Sequence, residues 1–142
     1  MKKTATILTA AAMLAVPALA DARLEPVDYF TTPHRGVYCE LLQDATRGGN
    51  GLRCVPRQAR PQRVYRLLEQ GRPIRYRATG EPNDGLPRLS YDRWYNMSGG
   101  TVKLGKAPGA INCRIARRDG VLRCANREHH GFALTGTRAR TY

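Results

Sequence analysis

The sequence predicts an all-β domain, a small disulfide-stapled sandwich or partly open barrel built from hairpins, with at most one short helix. Short apolar runs alternate with polar residues at period two, between Gly, Asn, Asp and Pro, which is typical of half-buried strands. The 142-residue chain contains 14 Gly and 9 Pro, which disfavours long helices. Its 4 Cys form an even set that two disulfide bonds can use.

Residues 1–20 are typical of a secretory signal peptide. Two lysines open the segment, an alanine-rich apolar run follows over Ala5–Val16, and Ala18 and Ala20 are the small residues that a signal peptidase recognises. We therefore expect cleavage after Ala20. The apolar run is too short to cross a membrane as a helix. The sequence predicts a periplasmic or secreted bacterial protein that does not span the membrane.

Beyond the signal, residues 21–28 are expected to form a loose leader and residues 29–142 a single β-rich domain. The full chain has 24 Lys and Arg against 11 Asp and Glu, a formal charge of +13. Such a charge attracts polyanions without specifying which one. The alternative is an arginine bias in composition that confers only solubility.

The segments with the clearest alternation of apolar and polar residues are the predicted strands. Strands are predicted around residues 37–42, 52–54, 102–104, 111–116, 122–124 and 132–134. One short helix fits residues 62–70, because Pro61 suits a first helical position and Gly71 suits the end of a helix.

Asp119-Gly120 is a strong turn signal between Cys113 and Cys124. A two-residue loop makes the two cysteines diagonal neighbours. A four-residue loop over Arg117–Gly120 places them directly opposite each other, at a separation that a disulfide can bridge. A Cys113–Cys124 bond would therefore select the longer loop.

The segment from Cys39 to Cys54 repeats this plan. A loop containing Gly48-Gly49-Asn50-Gly51 precedes Leu52-Arg53-Cys54, which matches Leu122-Arg123-Cys124. Three disulfide connectivities are possible. The simplest has two hairpins, each with a disulfide between its own two strands. Loops of this size give about 3 kcal/mol per bond in the chain-entropy account.

An arginine-rich stretch is the main candidate for binding. Arginine forks bind phosphate and carboxylate in pairs of hydrogen bonds, and an extended or part-helical segment could present them on one side. Tyr65 and Tyr76 could stack on bases or sugars. The alternative is a solvated cationic surface. The candidate anion-binding residues are Arg57, Arg60, Arg63, Arg66, Arg72, Arg75 and Arg77.

Glu128-His129-His130 is the only segment that suggests catalysis. Glu128 and His130 lie two residues apart, so on a strand they would share a face and could act as an acid–base pair in a small nuclease. A metal site would also need the distant His34, and we predict neither a metal nor a cofactor. Surface or packing histidines are the simpler explanation.

Aromatic residues cluster at Tyr91, Trp94 and Tyr95, beside Arg93. Such a cluster is usually a plug in the core. A platform on which a carbohydrate ring stacks is the functional alternative.

Several short motifs resemble a family of small secreted bacterial proteins of unknown function, over residues 29–135. The resemblance implies a disulfide-stapled, β-rich envelope protein and brings no catalytic residues. The family often has a further cysteine pair in mid-domain, which is absent here, and usually has Gly where this chain has Asp92. The matching segments are Phe30-Thr31-Thr32-Pro33, Val37-Tyr38-Cys39, Leu52-Arg53-Cys54, Leu89-Ser90-Tyr91 with Trp94, Cys113 with Cys124 and Asn126, and His130-Gly131-Phe132-Ala133-Leu134.

The sequence thus favours an exported, non-enzymatic basic envelope protein that binds an anionic partner through an arginine-rich face. The partner would be an anionic envelope component, an acidic protein or a nucleic acid. The alternatives are a nuclease-like hydrolase that uses Glu128 and His130, and an inhibitor of an enzyme that attacks the envelope.

Overall fold

The computed structural model describes residues 24–44, 50–77, 86–98 and 100–142, and these ranges contain strands and turns but no helix. The predicted signal peptide over residues 1–20 and part of the predicted loop around Gly48 and Gly49 lie outside the described residues. The strands are β1 (Leu24–Thr31), β2 (Val37–Asp44), β3 (Asn50–Pro56), β4 (Arg63–Leu68), β5 (Ile74–Arg77), β6 (Trp94–Ser98), β7 (Thr101–Leu104), β8 (Asn112–Ile115), β9 (Leu122–Ala125), β10 (Gly131–Leu134) and β11 (Ala139–Thr141).

The strands form two antiparallel sheets. The N-terminal sheet has the order β1-β2-β3-β4-β5, and the C-terminal sheet has the order β11-β10-β9-β8-β6-β7. Buried residues of both sheets belong to one hydrophobic core, in which Phe30 and Phe132 are the largest fully buried side chains. The prediction of an all-β fold built from hairpins is confirmed, with two open sheets in a sandwich-like arrangement and not a closed barrel.

Both predicted hairpin disulfides form, Cys39–Cys54 and Cys113–Cys124. In each case the two cysteines lie directly opposite each other on neighbouring strands. The amide of Gly120 donates to the carbonyl of Ala116 at 2.8 Å, which closes the second hairpin around the longer, four-residue loop. The two pairings were the favoured ones, and the Cys113–Cys124 bond selects the longer of the two loops that the sequence allowed.

The short helix expected over residues 62–70 is wrong, because that segment contains β4. Tyr65 and Leu67 face the core on one side of the strand, while Arg66 between them lies on the other side. A place between β3 and β5 satisfies the backbone hydrogen bonds on both edges. This tertiary pairing overrides the local helix signals, which came only from Pro61 and Gly71.

The chain also becomes regular earlier than expected. β1 begins at Leu24, inside the segment for which we expected a loose leader, and it pairs along the length of β2 from Leu24 opposite Asp44 to Thr31 opposite Tyr38. This pairing with β2 replaces the loose segment expected over residues 24–28.

The two sheets repeat one plan in strand order and in register. Strands β6, β8, β9, β10 and β11 correspond to β1 to β5, and β7 is an additional edge strand. The inner face of each sheet has a cross-strand row of aromatic, Cys, Cys and aromatic residues. These inner rows are Phe30-Cys39-Cys54-Tyr65 and Tyr95-Cys113-Cys124-Phe132.

Asn126, which follows β9, ties the two sheets together. Its buried side-chain amide donates to the carbonyls of Leu68 at 3.0 Å and Gly71 at 2.7 Å, which belong to the N-terminal half. Its side-chain oxygen accepts from the amides of Glu128 at 3.0 Å and His130 at 3.1 Å. One side chain therefore satisfies four backbone groups and fixes the β9–β10 turn against the β4–β5 turn.

Candidate anion-binding surfaces

Each sheet also has an outer row of paired residues. On every strand, the residue of the outer row is the sequence neighbour of the residue in the inner row. Because side chains alternate between faces and directly paired residues share a face, each row lies on the side away from the core. The N-terminal outer row is Tyr29, Glu40, Arg53, Arg66 and Ile74. The C-terminal outer row is Trp94, Arg114, Arg123, Ala133 and Arg140.

The N-terminal outer row has its own carboxylate. Glu40 accepts hydrogen bonds from the Arg53 guanidinium and, at 2.6 Å, from the hydroxyl of Tyr38. Burial raises the pKa of Tyr38 well above its usual range, and the hydrogen bond to Glu40 raises it further. Tyr29 stacks against Tyr38 with ring centroids 6.3 Å apart. The positive charge of Arg53 on this face is therefore neutralised by Glu40 on the neighbouring strand β2.

The C-terminal outer row takes its carboxylate from a loop. Arg123 donates to Asp119, in the β8–β9 turn, at 2.8 Å. This bond, together with the backbone amide of Val121, lowers the pKa of Asp119 to about 2. Arg123, Arg140 and Tyr142 also line a surface depression of about 750 Å³.

Three of the predicted arginines gather at the β4–β5 edge. Arg63 lies directly opposite Arg77, and Arg75 lies opposite Tyr65. All three arginines are therefore on the same face of the sheet as the core residues, but outside the buried region. Arg75 and Arg77 are exposed. Among the described residues, no carboxylate lies within 4.0 Å of these three guanidinium groups.

The other predicted arginines are placed elsewhere. Arg66 lies on the opposite face of β4 from Arg63, because a spacing of three residues changes sides on a strand. Arg57 and Arg60 lie in the β3–β4 connection, at the same end of the sheet as Arg63, and Arg60 donates to the carbonyls of Ala59 at 2.8 Å and Arg57 at 3.1 Å. Arg72 lies in the β4–β5 turn, at the other end. The seven arginines thus do not form one continuous face.

The two tyrosines of this segment are not available together for stacking. Tyr65 is buried in the core. Tyr76 lies opposite Val64, on the outer face, where it interacts with Arg53. The expectation that both tyrosines stack on a ligand beside the arginines is therefore wrong, since one of them packs the core and they point to opposite faces of the sheet.

Glu128 and His130 lie in and after the β9–β10 turn, not side by side on a strand. The carboxylate of Glu128 accepts a hydrogen bond from the amide of Gly71 at 2.9 Å. His129, between them, has a left-handed backbone with φ of 64°. The turn breaks the two-residue alternation that would have placed Glu128 and His130 on one strand face, and it commits Glu128 to a backbone contact between the two halves.

The aromatic cluster combines a core contact with an exposed cationic site. Tyr95 packs against the core and accepts a hydrogen bond from the amide of Ser90 at 2.9 Å. Trp94 is 37% exposed. The Lys106 ammonium lies 4.1 Å from the centroid of the Trp94 ring, and the Arg114 guanidinium carbon lies 5.9 Å from it. A cation therefore covers part of the ring on which a sugar would stack.

Tyr91 continues this surface. The Arg117 guanidinium carbon lies 5.2 Å from the centroid of the Tyr91 ring, and the imidazole of His34 lies 5.6 Å from it. Asp92 has a left-handed backbone, with φ of 59°, which Asp tolerates better than most residues. Its carboxylate lies 3.9 Å from Arg114 and 3.8 Å from Arg117 and accepts from the Arg117 amide at 3.0 Å.

Sequence reasoning did not find the cationic site at Trp94. Lys106 and Arg114 reach Trp94 from different parts of the chain, because β6 pairs with β7, which precedes Lys106, and with β8, which contains Arg114. Arg117 follows β8 and lies against Tyr91. One signal was available. Arg114 follows Cys113 as Glu40 follows Cys39, so the two matching hairpins carry opposite charges at one position.

The described residues contain neither a metal-binding cluster nor a membrane-spanning helix. No group of three or more His, Cys, Asp or Glu side chains in the described ranges is arranged to hold a metal ion. Within the same part of the chain, no helix has the length and apolar character needed to cross a membrane.

Comparison with known proteins finds no match to a protein-family model, to a curated protein or to a solved structure. The family resemblance carried by the short motifs stays a prediction.

Proposed function

We propose that this chain is an exported, non-enzymatic protein that binds a polyanion of the bacterial envelope through the arginines of the β4–β5 edge. The observation that carries the proposal is the pairing of Arg63 with Arg77 directly across two strands. Their side chains start about 5 Å apart, and like charges at that separation destabilise a sheet. A bound phosphate or carboxylate would relieve this repulsion.

The composition of the two strands supports the same function. β4 and β5 contain Arg63, Arg66, Arg75 and Arg77 and no acidic residue. β5 is the edge strand, so a long anionic chain has access to it from the side. Arg57 and Arg60 lie at the same end of the sheet and extend the basic surface along a polymer.

The compartment is part of the proposal. The two disulfides are consistent with an oxidising extracellular or periplasmic location. Residues 1–20 support export. Without Lys2 and Lys3 the exported chain has 22 basic and 11 acidic residues, and its charge of +11 favours anionic envelope components such as phosphorylated lipopolysaccharide.

The test compares two charge-matched triple variants. One replaces Arg63, Arg75 and Arg77 with Gln, and the control replaces the exposed Arg118, Arg127 and Arg138 with Gln. Binding to lipopolysaccharide and to single-stranded DNA is measured against salt concentration. If the edge neutralises three phosphates of the DNA, the log–log salt slope of the first variant falls by about 2, while the control changes little.

Two results would reject the proposal. One is equal loss of binding in both variants, because that would mean that overall charge and not this edge binds the polyanion. The other is the absence of salt-dependent binding of the unaltered protein to either polymer.

A further inference from the structure

The clearest difference between the two outer rows lies at one pair of equivalent positions. Glu40 and Arg114 each follow the first cysteine of a hairpin, and each lies opposite the arginine of a Leu-Arg-Cys strand. In the N-terminal sheet that position supplies a carboxylate to Arg53. In the C-terminal sheet it supplies a second cation, and Arg123 takes its carboxylate from Asp119. Arg114 is thus an additional cation in a row in which Arg123 already has a carboxylate partner.

Arg114 is held in place but only weakly neutralised. Its closest carboxylate among the described residues is that of Asp92, at 3.9 Å, which Arg117 shares at 3.8 Å. The buried Nε of Arg114 has no hydrogen-bond partner in the described part of the chain. The Arg114 side chain as a whole is 43% exposed, so an oxyanion can reach the outer part of its guanidinium.

The charges around Trp94 and the neighbouring Tyr91 suit a dianion. Lys106, Arg114 and Arg117 contribute three positive charges, and Asp92 contributes one negative charge. The net charge of these four side chains is therefore +2. A carboxylate carries one negative charge, whereas a phosphomonoester carries about −1.5 to −2 at pH 7. Arginine supplies a two-pronged donor for phosphate, and lysine supplies a compact charge.

We propose that Arg114 and Lys106 at Trp94, together with Arg117 at Tyr91, bind the phosphate of a phosphomonoester. Asp92 links the two parts of this site, because its carboxylate lies near both Arg114 and Arg117. The Trp94 ring forms the apolar wall of this site and holds Lys106 over it. The site lies on a different sheet from the β4–β5 edge, so it does not depend on the polyanion binding proposed above.

The experiment uses the fluorescence of Trp94, the only tryptophan of the chain. The full chain with both disulfides formed is titrated at constant ionic strength with inorganic phosphate, with glucose 6-phosphate and with acetate. Both phosphates should give a saturable change in emission, because a bound phosphate moves Lys106 relative to the ring. Binding of glucose 6-phosphate should weaken from pH 8 to pH 5, as its phosphate loses its second charge near pH 6.

A vesicle arm distinguishes a lipid from a soluble source of the same group. Vesicles with phosphatidic acid present a phosphomonoester, and vesicles with phosphatidylglycerol present a phosphodiester of similar surface charge. A preference for phosphatidic acid supports a lipid phosphomonoester as ligand. Equal response to both vesicles, together with saturable binding of glucose 6-phosphate, supports a soluble one.

Two charge-matched variants test the residues. Arg114→Gln should lower the affinity for glucose 6-phosphate about tenfold or more, the effect of losing a charged hydrogen bond, while Arg118→Gln, which has no contact with Trp94, should change it less than about twofold. Lys106→Gln serves as a second variant if Arg114→Gln does not fold.

The proposal is overturned if acetate gives the same response as phosphate, if no saturable response occurs, or if Arg118→Gln loses as much affinity as Arg114→Gln. The triple variant of Arg63, Arg75 and Arg77 should keep the full phosphate response. Loss of polymer binding in that variant with an unchanged Trp94 response would show that the two sites are separate.

Discussion

The two sheets have the same inner rows and different outer rows. Each inner row places two bonded cysteines between two aromatic residues, in one register. The outer rows differ in the sign of the charge at one position, where Glu40 on β2 corresponds to Arg114 on β8. The comparison teaches that the core and its disulfides define the strand register, while the solvent-facing positions of the same strands are free to change charge.

The largest expected effect tests the similarity of the inner rows. We expect the double variants Cys39→Ala/Cys54→Ala and Cys113→Ala/Cys124→Ala each to lower the free energy of unfolding by about 3 kcal/mol, since both bonds close short loops. Urea denaturation of each variant gives the values. If one double variant were as stable as the unaltered protein, the two hairpins would not be energetic equivalents.

The next effect concerns a residue with no counterpart in the N-terminal half. At the position equivalent to Asn126 stands Pro56, two residues after its cysteine. Asn126→Ala leaves four backbone groups without partners, and we expect it to cost about 2–4 kcal/mol in urea denaturation.

Asn96→Ala is the matched control for this prediction. Asn96 is also buried, but its hydrogen bonds, to Gly105 and Ser98, stay within the C-terminal sheet. Its loss should cost about 1 kcal/mol. Equal costs for the two variants would contradict a special role for Asn126 between the sheets.

A smaller effect tests the internal carboxylate of the N-terminal outer row. Glu40→Gln removes the charge that pairs with Arg53 and the strong acceptor for Tyr38, and we expect a loss of about 1–2 kcal/mol. The pKa of Tyr38 should fall toward its ordinary value, because the hydrogen bond to Glu40 is its second cause after burial. Absorbance titration of the tyrosines measures this shift, and an unchanged Tyr38 pKa would contradict it.

The smallest effect is the acid response of the C-terminal outer row. The folded pKa of Asp119 is about 2, below its ordinary value of 3.8, so its ionised form stabilises the fold above about pH 4. This contribution decreases as the pH falls toward 2. Asp119→Asn should therefore show a shallower loss of stability between pH 4 and pH 2, measured by thermal unfolding. An NMR titration that places the Asp119 pKa near 4 would contradict the assigned bond to Arg123.

The sequence was most informative where backbone and side chains obey a local rule. The alternation around Cys113 and Cys124, with Asp119-Gly120 between them, predicted the strands and favoured the bond, while the length of the loop stayed open between two and four residues. It failed at β4, because the choice between helix and strand depended on the neighbouring strands β3 and β5, which no local signal reports. The prediction of one arginine face failed for the same reason. Arginines three residues apart can share one side of an irregular segment, but on a strand they lie on opposite faces.

Each disulfide joins cysteines that are neighbours in the order of the chain, with separations of 15 and 11 residues. A chain that enters an oxidising compartment amino terminus first presents Cys39 and Cys54 before Cys113 has crossed. The native partner is then the first thiol that each cysteine meets. Oxidation in the order of translocation therefore yields the correct pairs, with little need for an isomerase to exchange wrong ones.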